Sequence, residues 1–364
     1  MGELMKRVLI AAGGTGGHVF PALAVAHLLD ERRVAVYWLG VKGGLEERYV
    51  PSSFSLEFIP MKALRGQRWL RRFWVSGRLL LAVIQSYRYI RRLRPDVVLG
   101  MGGYVSAPAG IAAWLARVPL IIHEQNAVAG LANRCLAILA KTVLQAFPQT
   151  FSKRWCAKTV GNPIRKALLT LPPPRERLVG REGPLRLLVL GGSQGARDIN
   201  QCVLDTLGIY PEKEALLVWH QTGASDYERI KKAYAGCPVE VKINAFIEEM
   251  AHAYHWADLV IARAGALTVS EIAVVGIGAI LVPYPFAVDD HQRHNSRSLE
   301  RRGAAIVMLQ ESFTQERLTA LLQHFVRHRD RLLVMAECAR SAAEPDATDK
   351  VAAACLRWVS GVST

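Results

Sequence analysis

The chain alternates short apolar runs with longer segments in which apolar residues recur at helical spacing. In the first half, the runs that predict strands occupy residues 6–12, 34–39, 96–99 and 120–123. Such runs, rich in Val, Ile and Leu, are typical of strands that are buried on both faces. Because helix-like segments separate them, as at residues 21–29, they predict a parallel sheet covered by helices.

The same scheme begins again in the second half. The sequence Leu-Pro-Pro-Pro at residues 171–174 is typical of a connection between domains. Beyond it, the runs that predict strands occupy residues 185–190, 215–220, 239–243, 259–262, 279–282 and 304–308. A strand, a glycine turn and a helix open each half. We therefore predict an α/β fold of two Rossmann-like, doubly wound domains that face each other across a cleft.

The length of the chain agrees with two domains, since 364 residues are too many for one ordinary hydrophobic core. We predict an N-terminal domain over residues 1–163 and a C-terminal domain over residues 164–346. The remaining residues, 347–364, predict a helix that packs back on the N-terminal domain.

Cysteines and apolar runs indicate the compartment. The six cysteines are scattered without a Cys-x-x-Cys pair, so the sequence predicts a reducing cytosol and neither disulfides nor a zinc site. The N-terminal segment runs into a glycine turn and not into a signal-peptide cleavage site. The longest apolar candidate for a membrane span, residues 75–90, contains Arg78 and Arg88 and falls short of the roughly 20 residues needed. We expect a soluble or peripheral protein.

Positive charge is concentrated in one segment. The net charge is +15, and between residues 62 and 94 there are ten Lys and Arg residues and no Asp or Glu. A charge run of this kind is typical of a solvated surface or of a surface that binds nucleic acid, and the charge alone does not decide between them.

The apolar residues of this basic segment recur at spacings of three and four, so they share one helical face. The face includes Trp69, Phe73 and Trp74, with Arg71 and Arg72 beside it. An apolar face flanked by arginines is typical of a helix that lies in a membrane interface. The alternative is that the face packs into the core of the first domain.

Three glycine-rich turns follow predicted strands, at residues 13–18, 100–110 and 191–197. Each would aim backbone N–H groups and a helix N-terminus at an anion. They match neither the dinucleotide-binding fingerprint nor the P-loop. Three such turns in two halves favour phosphate binding over tight turns that are only structural.

A polar block follows a predicted strand in the second half. The helix expected to begin at Ala266 could face a diphosphate, and Glu271 could accept hydrogen bonds from a ribose diol. Downstream, the segment 289–295 crowds polar side chains that suit a hydroxyl-rich ligand, although a polar surface loop is the alternative. His291 and His294 lack further ligands at a useful spacing, so we predict no metal site.

Motifs in a fixed order carry a resemblance to a known family. They are GGTGGHVFPALAVA at residues 13–26, GMGGYVSAPAG at 100–110, HEQNAVAGLANR at 123–134, GNPIR at 161–165, LGGSQGA at 190–196, GALTVSE at 265–271 and DDHQRHN at 289–295. Together they resemble the MurG family, the UDP-GlcNAc transferases of bacterial peptidoglycan synthesis, over essentially the whole chain. The resemblance implies a two-domain GT-B fold, inverting chemistry and no cofactor or obligatory metal, with UDP-GlcNAc as a substrate.

The resemblance also implies roles for individual residues. Contacts to the donor UDP-GlcNAc are implied for Thr15, Gly16, Gly17, Asn126, Arg165, Ser193, Ile247, Ala266, Leu267, Thr268, Val269, Ser270, Glu271 and Gln292. Contacts to the acceptor are implied for His18, Gly103, Tyr104, Glu124 and Asn133. Arg293 and His294 differ from the aromatic residues of one branch of the family.

The implied reaction moves GlcNAc to the C4 hydroxyl of MurNAc in undecaprenyl-diphosphate-MurNAc-pentapeptide, which converts lipid I to lipid II. The hydroxyl needs a general base, for which His18 and Glu124 are candidates, although His18 could instead bind the acceptor phosphate. The implied location is the cytoplasmic face of the bacterial inner membrane. There the protein would be peripheral, would bind an anionic membrane surface and could meet other cell-wall synthesis proteins.

Two other functions stay open. The same fold could act on another acceptor, as glycolipid glucosyl- or galactosyltransferases do, or epimerise UDP-GlcNAc, but the block at residues 123–134 argues against both. The basic segment could bind nucleic acid. No binding module accompanies it, and its aromatic residues alternate with aliphatic ones, so we predict no nucleic-acid partner.

Overall fold

The chain folds into two units. A computed structural model describes residues 6–60, 71–192 and 195–359, with the backbone alone at residues 71–76 and 288. Unit 1 is Met1–Arg165 with Pro345–Thr364, and unit 2 is Lys166–Glu344. The chain leaves unit 1 after Arg165, two residues beyond the predicted boundary at residue 163. It returns to unit 1 at Pro345, two residues before the predicted start of the C-terminal helix at residue 347.

Unit 1 is built on a parallel sheet. Its strands are β1 Arg7–Ala11, β2 Ala35–Val41, β3 Ser55–Ile59, β4 Val97–Gly100, β5 Leu120–Glu124, β6 Thr142–Gln145 and β7 Lys158–Thr159. Their order in the sheet is β3-β2-β1-β4-β5-β6-β7. The helices between them are α1 Gly16–Glu31, α2 Leu45–Tyr49, α3 Arg71–Leu93, α4 Ser106–Leu115 and α5 Leu131–Leu136.

Unit 2 repeats the scheme with a second parallel sheet. Its strands are β8 Leu185–Leu190, β9 Leu216–Gln221, β10 Glu240–Asn244, β11 Leu259–Ala262, β12 Gly278–Leu281 and β13 Ala305–Val307, in the order β10-β9-β8-β11-β12-β13. Its helices are α6 Lys166–Leu169, α7 Pro174–Leu178, α8 Arg197–Gly208, α9 Tyr227–Ala233, α10 Met250–Trp256, α11 Ala266–Val275, α12 His291–Glu300, α13 Gln315–Arg327 and α14 Arg329–Ser341.

The last helix of the described chain, α15 Ala347–Val359, belongs to unit 1 and packs on α1. Its Val351, Ala352 and Cys355 are fully buried in one core cluster with Val19 and Leu29 of α1. The apolar face of α15 therefore completes the core on one side of the first sheet.

Turns after central strands position the candidate site. β1 and β4 are neighbours, and the chain leaves them in opposite directions along the sheet, toward β2 and β5. β8 and β11 have the same relation in unit 2. In open α/β sheets, ligands bind outside the carboxyl ends of the strands at such switch points. The glycine motifs lie at these ends.

Two buried histidines make folding depend on pH. Burial lowers the pKa of His123 to about 4 and the pKa of His220 to about 3, from an ordinary value of 6.5. His220 lies 2.9 Å from the Tyr234 hydroxyl through Nδ1 and 3.0 Å from Asn200 Oδ1 through Nε2. In the unfolded chain each ring takes up a proton near pH 6.5, whereas the folded protein keeps it neutral. This contribution to stability is therefore fully present above about pH 7 and is lost as pH falls toward 4.

Between pH 7 and pH 5, the free energy of unfolding is expected to fall by roughly 2 kcal/mol for each of these rings. Urea unfolding of the whole protein at the two pH values measures the effect. The variant His220→Gln lacks one titrating ring, so it should show a smaller pH dependence than the wild type, although it is less stable at pH 7. An unchanged pH dependence in the variant would contradict the assignment.

Candidate active site

His18 lies in the first turn of α1, directly after the glycine turn that follows β1. Thr15 is the N-cap residue of this helix, and Gly16 and Gly17 are its first two residues. The ring of His18 is half-buried, and its Nδ1 lies 3.0 Å from Oε1 of Gln125. Gln125 directly follows β5. The structure therefore brings together the first glycine motif and the motif at residues 123–134.

The carboxylate of Glu124 holds the loop that follows β5. Its Oε1 accepts hydrogen bonds from the backbone N–H and the Nδ2 of Asn126, at 3.0 and 3.1 Å. Its Oε2 accepts from the N–H of Gly130 at 3.0 Å and from Nδ2 of Asn133 at 2.9 Å. The residue is 3% exposed. Since a carboxylate has about four lone-pair positions, these donors fill it, and Glu124 is better placed to order the loop than to take a proton.

The turns after β1 and β4 meet at two glycines. Gly103 has φ +79°, and a Cβ there would collide with the backbone oxygen of Gly13. Glycine is therefore required at Gly103 for both reasons. The next residue, Tyr104, is half-buried. Its ring lies beside Gly14, so Tyr104 borders the first glycine turn.

Arg165 is the last residue of unit 1 before the chain enters unit 2. Its guanidinium lies over the ring of Phe20, 5.2 Å from the ring centroid. This cation–π contact holds Arg165 against α1, the helix that carries His18.

A buried carboxylate, Glu46 of α2, holds the first glycine turn. Its Oε2 accepts from the N–H of Gly14 at 3.1 Å, and its Oε1 accepts from the N–H of Val41 at 2.7 Å. Glu46 is fully buried, and a Cβ at Gly13 or at Gly40 would collide with its side chain. The glycines of this turn therefore make room for a carboxylate as well as for a ligand.

In the other two glycine turns, some backbone N–H groups already donate hydrogen bonds to other groups of the protein. The N–H of Gly102 donates to Oγ of Ser106 at 2.8 Å, and the N–H of Gly191 donates to the backbone oxygen of Gln221 at 2.8 Å. These bonds fix the shape of the turns. Anion binding would fall to the remaining amides and to the helix N-termini that follow.

In unit 2, α11 begins where the sequence predicted a helix, and its N-terminus follows β11. Glu271 is 6% exposed, and its Oε2 accepts a hydrogen bond from the Tyr254 hydroxyl at 3.2 Å. Oγ of Ser270 donates to the backbone oxygen of Ala266 at 3.0 Å. The first six residues of this helix are the predicted donor block, Ala266, Leu267, Thr268, Val269, Ser270 and Glu271.

Two further residues that were predicted to contact UDP-GlcNAc are held by hydrogen bonds between a backbone N–H group and a glutamine side chain. The N–H of Ile247 donates to Oε1 of Gln221 at 2.9 Å. Oε1 of Gln292 accepts from the N–H of Tyr284 at 2.9 Å. Gln292 is thus fixed at the start of α12.

The backbone before α12 is strained. Asp289 and Asp290 have φ of +52° and +49°, the left-handed region that non-glycine residues seldom adopt. Nδ2 of Asn295 donates to the backbone oxygen of Ala264 at 3.2 Å, which ties α12 to the turn after β11. Strain of this kind clusters at ligand sites, where the surroundings hold it in place.

Some predicted residues lie outside the described residues. They are Ser193 and Trp69, together with the side chains of Arg71, Arg72, Phe73 and Trp74. In the described part of the chain, no group of three His, Cys, Asp or Glu side chains could hold a metal ion.

Several residues that hold the site were not indicated by the sequence. Gln125 stands inside a quoted motif between two residues that were singled out, and its position directly after a strand was the available signal. Tyr254 and Glu46 lie on helices outside all the motifs. No spacing in the sequence links them to the residues that they hold.

Known proteins match the chain over nearly its whole length. The models of the glycosyltransferase family 28 N-terminal and C-terminal domains match residues 8–145 and 186–351. The UDP-N-acetylglucosamine–N-acetylmuramyl-(pentapeptide) pyrophosphoryl-undecaprenol N-acetylglucosamine transferase of Coxiella burnetii is 56% identical, over 97% of this chain and 99% of its own. The crystal structure of Acinetobacter baumannii MurG is 38% identical with a TM-score of 0.82, over 97% of this chain and 99% of its own. The chain belongs to the MurG family of glycosyltransferase family 28.

Another member of the MurG family is also similar to this chain over nearly its whole length. The transferase of the same name from Marinobacter nauticus is 48% identical over 98% of both chains. The predicted fold class is confirmed, since each unit is a parallel sheet with helices and the chain belongs to a family with the GT-B fold.

Proposed function

We infer that this protein transfers GlcNAc from UDP-GlcNAc to the C4 hydroxyl of MurNAc in undecaprenyl-diphosphate-MurNAc-pentapeptide, forming lipid II from lipid I for peptidoglycan synthesis. The observation that carries this inference is the 56% identity, over nearly the whole chain, with a transferase named for this donor sugar and this acceptor. UDP-GlcNAc is a substrate, and the proposal includes no cofactor.

The transfer forms one bond and breaks another. The C4 hydroxyl oxygen attacks the anomeric carbon on the face opposite to UDP, so the α linkage becomes β. The bond from that carbon to the UDP oxygen breaks, and its electron pair leaves with UDP. The reaction therefore needs a base for the hydroxyl proton and positive electrostatics at the diphosphate.

We propose that unit 2 holds most of the donor. The N-terminus of α11 carries partial positive charge, which would stabilise the leaving diphosphate. Glu271, oriented by Tyr254, would accept hydrogen bonds from the ribose diol. The other donor contacts stay as predicted, at Thr15, Gly16, Gly17, Asn126 and Arg165 in unit 1 and at Ser193, Ile247 and Gln292 in unit 2.

We propose His18 as the general base. Its Nδ1 is bonded to Gln125, so Nε2 is the nitrogen that is left for the acceptor hydroxyl. The four donors around the Glu124 carboxylate make it a weaker candidate, and we assign it, with Asn133, to ordering the acceptor loop. Gly103 and Tyr104 complete the proposed acceptor side.

Incubation with radiolabelled UDP-GlcNAc and a lipid I analogue tests this function. The expected result is a labelled lipid product with one UDP released for each sugar transferred. Conversion of UDP-GlcNAc to an epimer without any lipid would favour the epimerase alternative. Unlabelled lipid after full incubation would overturn the proposal.

The described part of α3 exposes an apolar face. Leu80, Leu81 and Ile84 are 61%, 55% and 38% exposed, whereas Ala82 and Val83 on the other side are buried. Packing into the core therefore does not account for these three residues. Among the described residues, no helix combines the length and apolarity needed to cross a membrane.

Arginines continue this exposed face. Arg88 and Arg91 follow Ile84 by four and seven residues, and both are exposed. Each arginine near an anionic surface adds about 1 kcal/mol of attraction. We propose that this face of α3, with the preceding basic segment, holds the protein peripherally on the cytoplasmic side of the inner membrane, because the acceptor's polyprenyl tail stays in the bilayer.

The triple variant Leu80→Ser/Leu81→Ser/Ile84→Ser is expected to bind vesicles of phosphatidylglycerol and phosphatidylethanolamine about tenfold more weakly, because it loses apolar area that would enter the interface. Arg71→Glu/Arg72→Glu should also weaken binding, and added salt should weaken it in the wild type. Co-sedimentation measures each effect.

The matched control is Val179→Ser/Ile209→Ser/Val334→Ser, since these aliphatic residues of unit 2 are 65%, 65% and 54% exposed. This control should pellet with the vesicles as the wild type does. If the α3 variant pellets equally well, α3 is not the membrane face.

A further inference from the structure

A chain of hydrogen bonds runs from the backbone of Gly161 to His18. His123 Nε2 lies 2.9 Å from the Gly161 oxygen, Gln125 Nε2 lies 3.1 Å from His123 Nδ1, and His18 Nδ1 lies 3.0 Å from Gln125 Oε1. His123 is fully buried and Gln125 is 1% exposed. The four residues therefore form a path from the core of unit 1 to the half-buried ring of His18.

The direction of these bonds is fixed at the buried end. A backbone carbonyl can only accept, so His123 Nε2 carries a proton and donates it to the Gly161 oxygen. Burial lowers the pKa of His123 to about 4, so at neutral pH the ring has no second proton. His123 Nδ1 can therefore only accept, and it accepts from Gln125.

A second acceptor orients the Gln125 amide in the same way. Its Nε2 also donates to the backbone oxygen of Met101, at 2.9 Å. The reversed amide would place its oxygen against two groups that can only accept, a carbonyl oxygen and the bare Nδ1 of His123. Gln125 Oε1 therefore faces His18.

Because an amide oxygen can only accept, His18 Nδ1 must donate to it. We propose that Gln125 is a positioning residue, which holds neutral His18 in the tautomer with the proton on Nδ1 and the lone pair on Nε2. This inference rests on the proposed function, in which His18 takes the proton of the acceptor hydroxyl. In the other tautomer Nε2 already carries a proton and cannot act as a base.

Gly102 makes room for the bond between the ring and the amide. A Cβ at Gly102 would lie 2.5 Å from His18 Nδ1 and 3.2 Å from Gln125 Oε1. Gly102 also has φ +92°, which other residues rarely adopt. The bond between His18 and Gln125 thus depends on a glycine from a third motif.

The tautomer also separates the two roles considered for His18. A neutral ring that binds a phosphate oxygen through Nε2 needs a proton there, whereas a base needs the lone pair. The hydrogen-bond chain favours the base. After Nε2 takes the proton, Gln125 Oε1 still accepts from Nδ1, so no side chain has to rearrange.

The test compares Gln125→Leu with Gln145→Leu. Gln125→Leu removes the acceptor that faces His18. Gln145 is also a buried glutamine at the carboxyl end of a strand, and its amide bonds to Thr159 and Phe151. It controls for the loss of a buried amide. Gln125→Glu is the rescue variant, because a protonated carboxyl group keeps both functions of the amide: an oxygen that accepts from His18 Nδ1 and a hydroxyl that can donate to the Met101 oxygen.

Two measurements are made on each protein. Nitrogen-15 NMR of the histidine rings, with His18 assigned from the spectrum of His18→Ala, shows which ring nitrogen is protonated. We expect the proton on Nδ1 in the wild type, Gln125→Glu and Gln145→Leu, and its movement to Nε2 in Gln125→Leu. With a lipid I analogue, kcat should fall about tenfold to a hundredfold in Gln125→Leu, with UDP affinity unchanged.

A proton on Nε2 of wild-type His18 overturns the proposal, and this result does not depend on any variant folding. A wild-type tautomer in Gln125→Leu, or a loss of kcat no larger than in Gln145→Leu, overturns it as well. Failure of the proposed function looks different, since the wild type would then transfer no sugar while the NMR spectra still decide the tautomer.

Discussion

His18→Ala is expected to lose about 10²–10⁴-fold in kcat, because it lacks the base that takes the proton of the acceptor hydroxyl. Its affinity for UDP should stay close to that of the wild type, since most donor contacts are assigned to unit 2. Initial rates at saturating lipid I analogue give kcat, and calorimetric titration with UDP gives the affinity. Together they separate a loss of chemistry from a loss of donor binding.

The matched control is His27→Ala, an exposed histidine on the same helix, which should keep wild-type kcat. If His18→Ala keeps its kcat and only the KM for the acceptor rises, His18 is a ligand of the acceptor phosphate. Glu124→Gln would then be the next variant to measure, as the remaining candidate for the base.

Apolar periodicity predicted the central strands of both sheets but not the outer strands of unit 1. β4 and the residues of β1 that follow Arg7 are buried on both faces, so their sequences are unbroken apolar runs. β3 lies at the sheet edge and includes the charged Glu57, which pairs with Arg92. β7 has two residues, both exposed, and β6 has four. Strands of two or four residues are too short for a pattern of apolar residues to show in the sequence.

The sequence predicted the residues of the candidate site that would contact a ligand. It did not predict most of the residues that hold those ligand-binding residues in place. Glycine turns and polar blocks stand out in a sequence because ligand binding restricts their residue types. Glu46 and Tyr254 reach the site from helices that carry no motif, and only the folded chain places them there. The role of Gln125 depends on acceptors from two other segments, at Met101 and His123.

Glu271→Ala is expected to bind UDP at least about tenfold more weakly, because it removes charge-assisted hydrogen bonds to the ribose worth roughly 1.5–3 kcal/mol. Calorimetric titration with UDP measures the loss. Since Glu271 is 6% exposed and bonded to Tyr254, the alanine variant also loses a buried contact, so its unfolding must be measured in parallel.

Two milder variants separate ribose binding from stability. Glu271→Gln keeps the volume and an oxygen that can accept from the Tyr254 hydroxyl, but it loses the charge, so it should bind UDP more weakly with little change in unfolding. Tyr254→Phe keeps the charge and removes the bond that orients it, so its loss of affinity should be smaller than that of Glu271→Ala. UDP binding at wild-type strength in both Glu271 variants would remove Glu271 from the donor site. The N-terminus of α11 would then have to bind the nucleotide through its diphosphate alone, and UDP affinity should in that case fall steeply with added salt.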